Sequence, residues 1–212
     1  MCMFKIFYLL VLFLIFQSNH VFSANIDKFT VDQSKLIYDT ENIDDWENAE
    51  INEEDPDIFF QLLSENPQIT TVQLNSSGGL QADAYEISDL IIDFDLDTHV
   101  NGVCHSSCTI LFLAGNKRTV ERGSTLGFHQ LHWPAESQRV YYEYYLGTDW
   151  NDEFEYAEWL YNDAQATILL DMEYLLERGV ESSFAIKTLE ADPNDMWIPR
   201  RKELINAGVI IE

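Results

Sequence analysis

An α/β domain on a mainly parallel sheet is what this sequence predicts, and three observations predict it. Short apolar runs of strand length alternate several times with segments of helical period, the pattern of successive strand-turn-helix units. Two of the strand-to-helix junctions, 75–79 and 102–108, concentrate Gly, Ser and His, where open α/β sheets place their ligand sites. The chain has 212 residues, 46% of them apolar, with only 9 Gly and 5 Pro. That composition excludes a disordered, collagen-like or linker-rich chain and suits one domain with a sizeable core.

The elements follow in order. Leu36-Ile37-Tyr38 predicts an initial strand. Residues 39–57 are dense in Asp and Glu, as a solvated face or loop would be. Asp55-Pro56 opens a helix, because Pro at the first helical position is already fitted to helix geometry. Ile58, Phe59, Leu62 and Leu63 give that helix an apolar face, and Asn66-Pro67 closes it. Thr70 to Leu74 reads as a buried strand running into Asn75-Ser76-Ser77-Gly78-Gly79, and helical period returns at Leu80, Ala84, Ile87, Leu90 and Ile91. His99 to Val103 is the next strand, and an apolar helix follows from about Ser107 to Ala114. Lys117–Val120 and Thr125–His129 are short strands. A polar and aromatic stretch leads to a long helix over 152–178 that Gly179 ends. Ser182–Leu189 predicts a short helix, and 203–211 a closing helix and strand.

Charge and address narrow the function. With 12 Lys+Arg against 37 Asp+Glu the formal charge is -25, which argues against nucleic acid or anionic lipid as partner. Lys5, the apolar run Ile6 to Phe16 and the small residues near Ser23 form a secretory signal peptide over 1–23, cleaved after Ser23 or Ala24. The run falls short of the roughly 20 residues of a spanning helix; only if the segment stays uncleaved would it anchor the chain to a membrane. The expected layout is thus signal peptide, an acidic segment over 24–57 with the first strand, and an α/β domain over 58–212, exported to a periplasm or the cell exterior. Export leaves Cys104 and Cys108 as the remaining cysteines, a disulfide candidate if their orientation allows it.

Three stretches carry chemistry. In Asn75-Ser76-Ser77-Gly78-Gly79 the paired glycines let backbone approach a ligand, and the free amides of the next helix can receive an anionic oxygen; a plain tight turn would look the same. In Gly102-Val103-Cys104-His105-Ser106-Ser107-Cys108-Thr109 a serine heads a buried helix, the setting of an N-cap or of a nucleophile whose attack creates an oxyanion nearby. In Leu126-Gly127-Phe128-His129-Gln130 a histidine ends a strand, a structural residue or a base for activating a hydroxyl. Cys104, His105, Cys108, His129 and His132 match no standard zinc spacing, so neither a metal nor another cofactor is expected.

In this order the three stretches resemble the Clp protease proteolytic subunit family of the wider crotonase-like superfamily, well over about 68–132 and loosely in the C-terminal part. The resemblance implies a repeated β-β-α spiral with Ser106 as nucleophile. It implies His129 as base, 23 residues later (129 − 106), and the backbone N–H groups of Gly79 and Ser107 as oxyanion donors. Aligning Ala207-Gly208 with the family's corresponding Gly puts the third triad member at Asp192, with Asp195 and Glu190 competing. Ser107 is the competing nucleophile. Ser77 stands where the family usually has Pro, and Cys104 and Cys108 flank Ser106 where it has small residues. The aromatic stretch from Trp133 to Tyr161 packs against neighbouring subunits and lines the peptide groove in the family; a core and one helix face is the plainer reading. The implied function is an exported serine hydrolase, a peptidase, forming a homo-oligomer and working without an ATP-dependent unfoldase. The alternatives are a non-catalytic binding or assembly module of the cell envelope and an acyl-thioester enzyme.

Overall fold

Residues 28–43 and 49–211 are described by the computed structural model of the chain; the signal segment expected over 1–23 lies outside them. Phe29–Asp32 (β1) and Lys35–Asp39 (β2) form an antiparallel pair at the edge of a six-stranded sheet. Thr71–Ser76 (β3), Asp97–His105 (β4) and Arg118–Val120 (β5) continue it in parallel. Thr125–Gly127 (β6) also runs parallel to β4, beside its C-terminal half, with Val103 opposite Thr125 and His105 opposite Gly127. Along β3 Val72, Leu74 and Ser76 are buried and the residues between them are not, the period of two that seats a strand on a core.

The covering helices are Asp55–Glu65 (α1), Gln81–Asp93 (α2) and Cys108–Ala114 (α3), packed in sequence order, with α3 also on β4. Every residue of α3 is buried, as a helix that is apolar all round requires. Ala135–Tyr145 (α4) leads to the long Glu153–Glu177 (α5), whose Asp152 cap accepts from the backbone N–H groups of Phe154 and Glu155. Ser182–Thr188 (α6) and Arg201–Asn206 (α7) complete the order. The end of α5 is fastened to α3. Arg178 donates from Nε to Leu113 O at 2.9 Å and from a terminal nitrogen to Ala114 O at 2.7 Å, and Tyr174 OH donates to Ile110 O at 2.7 Å.

Three details differ from the sequence reading. β1 precedes the strand expected at 36–38. The aromatic stretch contains α4, which buries none of its residues in the core. It is held instead by ring contacts, among them Tyr141 with Trp150 and Trp159, so the helical repeat of Val140, Tyr141, Tyr144 and Tyr145 faces other rings and solvent instead of the sheet. The closing strand expected at 209–211 is reduced to one antiparallel bridge between Ile211 and Arg118.

The acidic segment is structural. Lys28 and Asp55, each 1% exposed, form an ion pair at 2.9 Å. Lys28 also donates to Glu50 O at 2.7 Å, while Tyr38 OH at 2.6 Å and the Asn52 N–H at 3.0 Å donate to Asp55. Burial, with Asp55 alongside, raises the Tyr38 phenol well above its usual range.

Candidate active site

Parallel neighbours end on the same edge of a sheet, so β3, β4 and β6 deliver their following residues to one place. Those residues are Gly78-Gly79, Ser106-Ser107 and Phe128-His129. Gly79, Ser106, Ser107 and His129 line one cleft of about 100 Å³. One water needs ~10–15 Å³ by the same measure, so a side chain has room.

The first turn is built by close approach. Asn75 bridges the strand ends, accepting from the Val103 N–H at 2.9 Å and donating to Asp39 at 3.0 Å. Buried Ser76 Oγ accepts from the Gly78 N–H at 3.1 Å and from Thr40 at 2.9 Å. Gly78 has φ 105°, and a Cβ there would lie 2.9 Å from both Ser106 Cβ and His105 O. Gly79 has φ 147°, and its Cβ would lie 2.3 Å from Ile51 O. Ile51 pairs with this turn through Gly78 O (2.8 Å) and the Leu80 N–H (2.9 Å), which turns the Gly79 N–H away from Ile51. Among the described residues that N–H has no acceptor.

The second turn carries Ser106 at φ 54°. A non-glycine residue there costs roughly 1–2 kcal/mol and persists only where its surroundings hold it. Two constraints are visible: the Ser106 N–H donates to Gly127 O at 2.9 Å, and Cys104 and Cys108 are joined in a disulfide with Cα atoms 5.2 Å apart. The buried bridge joins the residues two before and two after Ser106 and so fixes both ends of the serine turn. Among the described residues Ser106 Oγ has no hydrogen-bond partner, and it stands at the head of α3, whose dipole favours negative charge. Ser107 is 7% exposed and its hydroxyl donates to Gly79 O at 2.9 Å, so it ties the two turns together. The Ser107 N–H, like that of Gly79, has no acceptor among the described residues.

His129 sits two residues beyond β6. Its Nδ1 lies 2.6 Å from Gln130 O; a carbonyl only accepts, so Nδ1 carries a proton, and in the neutral ring the lone pair is then on Nε2. The segment behind it is stitched to 189–197: Phe128 and Trp197 exchange backbone bonds at 3.0 and 2.9 Å, and Gln130 is bonded to Ala191 O and Leu189 O. Asp192 belongs to that segment, but its carboxylate is exposed and accepts from the Asn194 N–H and side chain at 2.9 and 3.0 Å. Those bonds, with a smaller effect of His132, hold its pKa below the usual carboxylate range. Asp195 caps the Met196 N–H at 2.8 Å. No hydrogen bond joins Ser106 to His129 or His129 to Asp192, Asp195 or Glu190. His105 faces Thr125 with Nε2 at 2.9 Å, and burial lowers its pKa. Among the described residues no group of three or more His, Cys, Asp or Glu is spaced to hold a metal ion.

Several site residues escaped the sequence reading. Ile51 pins the first turn, and Glu41 accepts from the Ser77 N–H at 2.7 Å. Asp171, on α5, lines the cleft and accepts at Oδ1 from Gln81 Nε2 at 2.8 Å and Tyr85 OH at 2.7 Å. Its one visible signal is an acid set inside the apolar run Ile168-Leu169-Leu170-Asp171-Met172.

No protein-family model matches the chain, and no curated protein matches it. Among solved structures it is similar to a ClpP1 mutant from Listeria monocytogenes, with TM-score 0.50 and 20% identity over 76% of this chain and 84% of that one. At that identity the likeness shows a shared Clp-protease-like fold of mixed α/β type.

Proposed function

We propose that this chain is an exported serine hydrolase acting on peptides, with Ser106 as nucleophile and His129 as base. One observation carries the reading. A serine held at φ 54° on a strand-to-helix turn shares a cleft with two N–H groups that have no acceptor among the described residues and an imidazole whose Nδ1 is turned to a carbonyl, which leaves Nε2 as the basic nitrogen of the neutral ring. Each group suits one part of acyl transfer. Ser106 Oγ bonds to the peptide carbonyl carbon while its proton passes to His129 Nε2. The oxyanion is held by the N–H groups of Gly79 and Ser107, one such donor being worth about 3–4 kcal/mol of barrier. The imidazolium returns the proton to the leaving amine as the C–N bond breaks, and water then releases the acyl group and restores Ser106.

Asp192 is the third member in this proposal, which requires its side chain to exchange Asn194 for His129 once substrate is bound; apo catalytic contacts are often loose. Gln130 O orients the ring meanwhile, without the charge that stabilises an imidazolium. The disulfide supports an oxidising compartment, periplasmic or extracellular. A homo-oligomer with the spiral arrangement of the Clp-protease-like fold, independent of an ATP-driven unfoldase, completes the reading.

A second reading, a non-catalytic binding module, is favoured by the engagement of Asp192 with Asn194. A fluorophosphonate probe decides between them. Wild type is expected to take up the label and Ser106→Ala to take up none, with both melting alike; equal labelling would remove Ser106 as the nucleophile, and no labelling of either would leave the binding module.

A further inference from the structure

The cleft that holds Ser106 has a charged group that the acyl-transfer chemistry does not use. Its wall is apolar, with Ile110, Leu113, Phe128, Met172 and Leu175 among its residues, and Asp171 stands in that wall. Gln81 and Tyr85 both donate to Oδ1, and among the described residues Oδ2 takes no hydrogen bond. No Lys, Arg or His forms an ion pair with Asp171 among the described residues. An acid on an apolar wall without a counter-charge is costly unless something brings a cation to it. A lysine or arginine side chain does that, laying its methylene stem along apolar surface and its charged head on a carboxylate. The surface supports the same ligand, since a chain of formal charge -25 attracts cationic peptides and repels anionic ones.

We propose that the cleft receives a basic side chain adjoining the scissile bond, with Asp171 as its counter-charge, so that the substrates are peptides cleaved after arginine or lysine. The proposal rests on the hydrolase reading for cleavage, whereas the recognition is measurable without it. Asp171 is a specificity residue in this scheme, and the hydroxyl and amide that hold Oδ1 fix its orientation.

Two measurements test it. In the first, kcat/KM is compared for acetyl-Ala-Ala-Arg-, -citrulline- and -Leu-aminomethylcoumarin on wild type and Asp171→Asn, which keeps an acceptor oxygen for Gln81 and Tyr85. Wild type is expected to favour arginine over its neutral isostere citrulline by about tenfold or more, and the variant to lose that ratio. A merely structural carboxylate would lower all three substrates together and leave the ratio standing, which overturns the proposal, as does a wild-type preference for leucine. In the second, binding of acetyl-Ala-Ala-Arg-amide and its citrulline analogue to Ser106→Ala is measured by calorimetry. Selective arginine binding that Asp171→Asn abolishes, in a protein that cleaves nothing, keeps the pocket assignment and removes the hydrolase reading. Cleavage without arginine selectivity does the reverse.

Discussion

Asp171 links recognition to stability. Burial lifts its carboxyl above the ordinary 3.8, outweighing the opposing bonds from Tyr85 and Gln81. The folded protein therefore holds this proton more tightly than the unfolded chain does. Its stabilising contribution is greatest at low pH, and is lost as pH rises from the ordinary value through the raised one. A neutral amide is free of that cost, so Asp171→Asn is expected to melt above wild type at pH 7, the gap narrowing as pH falls towards 4. Thermal denaturation across that range checks it; a gap independent of pH would mean that the carboxylate is not held at a cost in the folded protein. Gly79 is the opposite case, a position where no side chain fits. Its Cβ would sit 2.3 Å from Ile51 O, so Gly79→Ala is expected to cost about 1–3 kcal/mol and to lower fluorophosphonate labelling by moving the amide. These two residues also divide what a sequence reveals. A close approach demands a residue type, which makes Gly78-Gly79 legible. An acid on a helix of an acidic chain has no such mark, and its partners Gln81 and Tyr85 lie 90 and 86 positions away.

Elements are legible where packing imposes a period. α1, α2 and α3 bury apolar faces on the sheet and stand where their sequence patterns put them. α4 has a helical repeat as well, but it is packed ring against ring and away from the sheet, and the 209–211 strand fails because it meets only Arg118. The acidic block is misleading for a related reason: composition suggests solvent, yet Asp55 is buried against Lys28, a pairing across 27 positions that composition does not show. That pair anchors the start of α1 beside Ile51, which in turn pins the first turn of the site. Removing one partner of a buried pair leaves a charge without compensation, typically at a cost of about 3–5 kcal/mol. Asp55→Ala is therefore expected to lower the melting temperature sharply. Labelling at temperatures where the variant is still folded should fall as well, since Ile51 loses its support. A variant that melts like wild type would show that Lys28 finds another partner.

Over the whole molecule, charge acts on folding and on substrate in opposite senses. The chain carries 37 acids against 12 bases, so the compact state repels itself, and salt relieves that repulsion by shortening the Debye length from about 10 Å at 0.1 M to about 3 Å at 1 M. The melting temperature is expected to rise with sodium chloride. The same screening weakens the long-range attraction of a cationic peptide, and so KM for the arginine substrate is expected to rise over the same titration. Attraction at Asp171 is partly shielded from solvent and is screened less than the surface field. The rise should therefore be steep at low salt and level off, leaving a residual preference for arginine over citrulline at high salt. Citrulline has the same shape without the charge, and its KM should stay nearly flat. If the citrulline and arginine substrates respond alike, salt is acting on the protein and not on its attraction for cations, and the acidic surface has no part in selecting substrate.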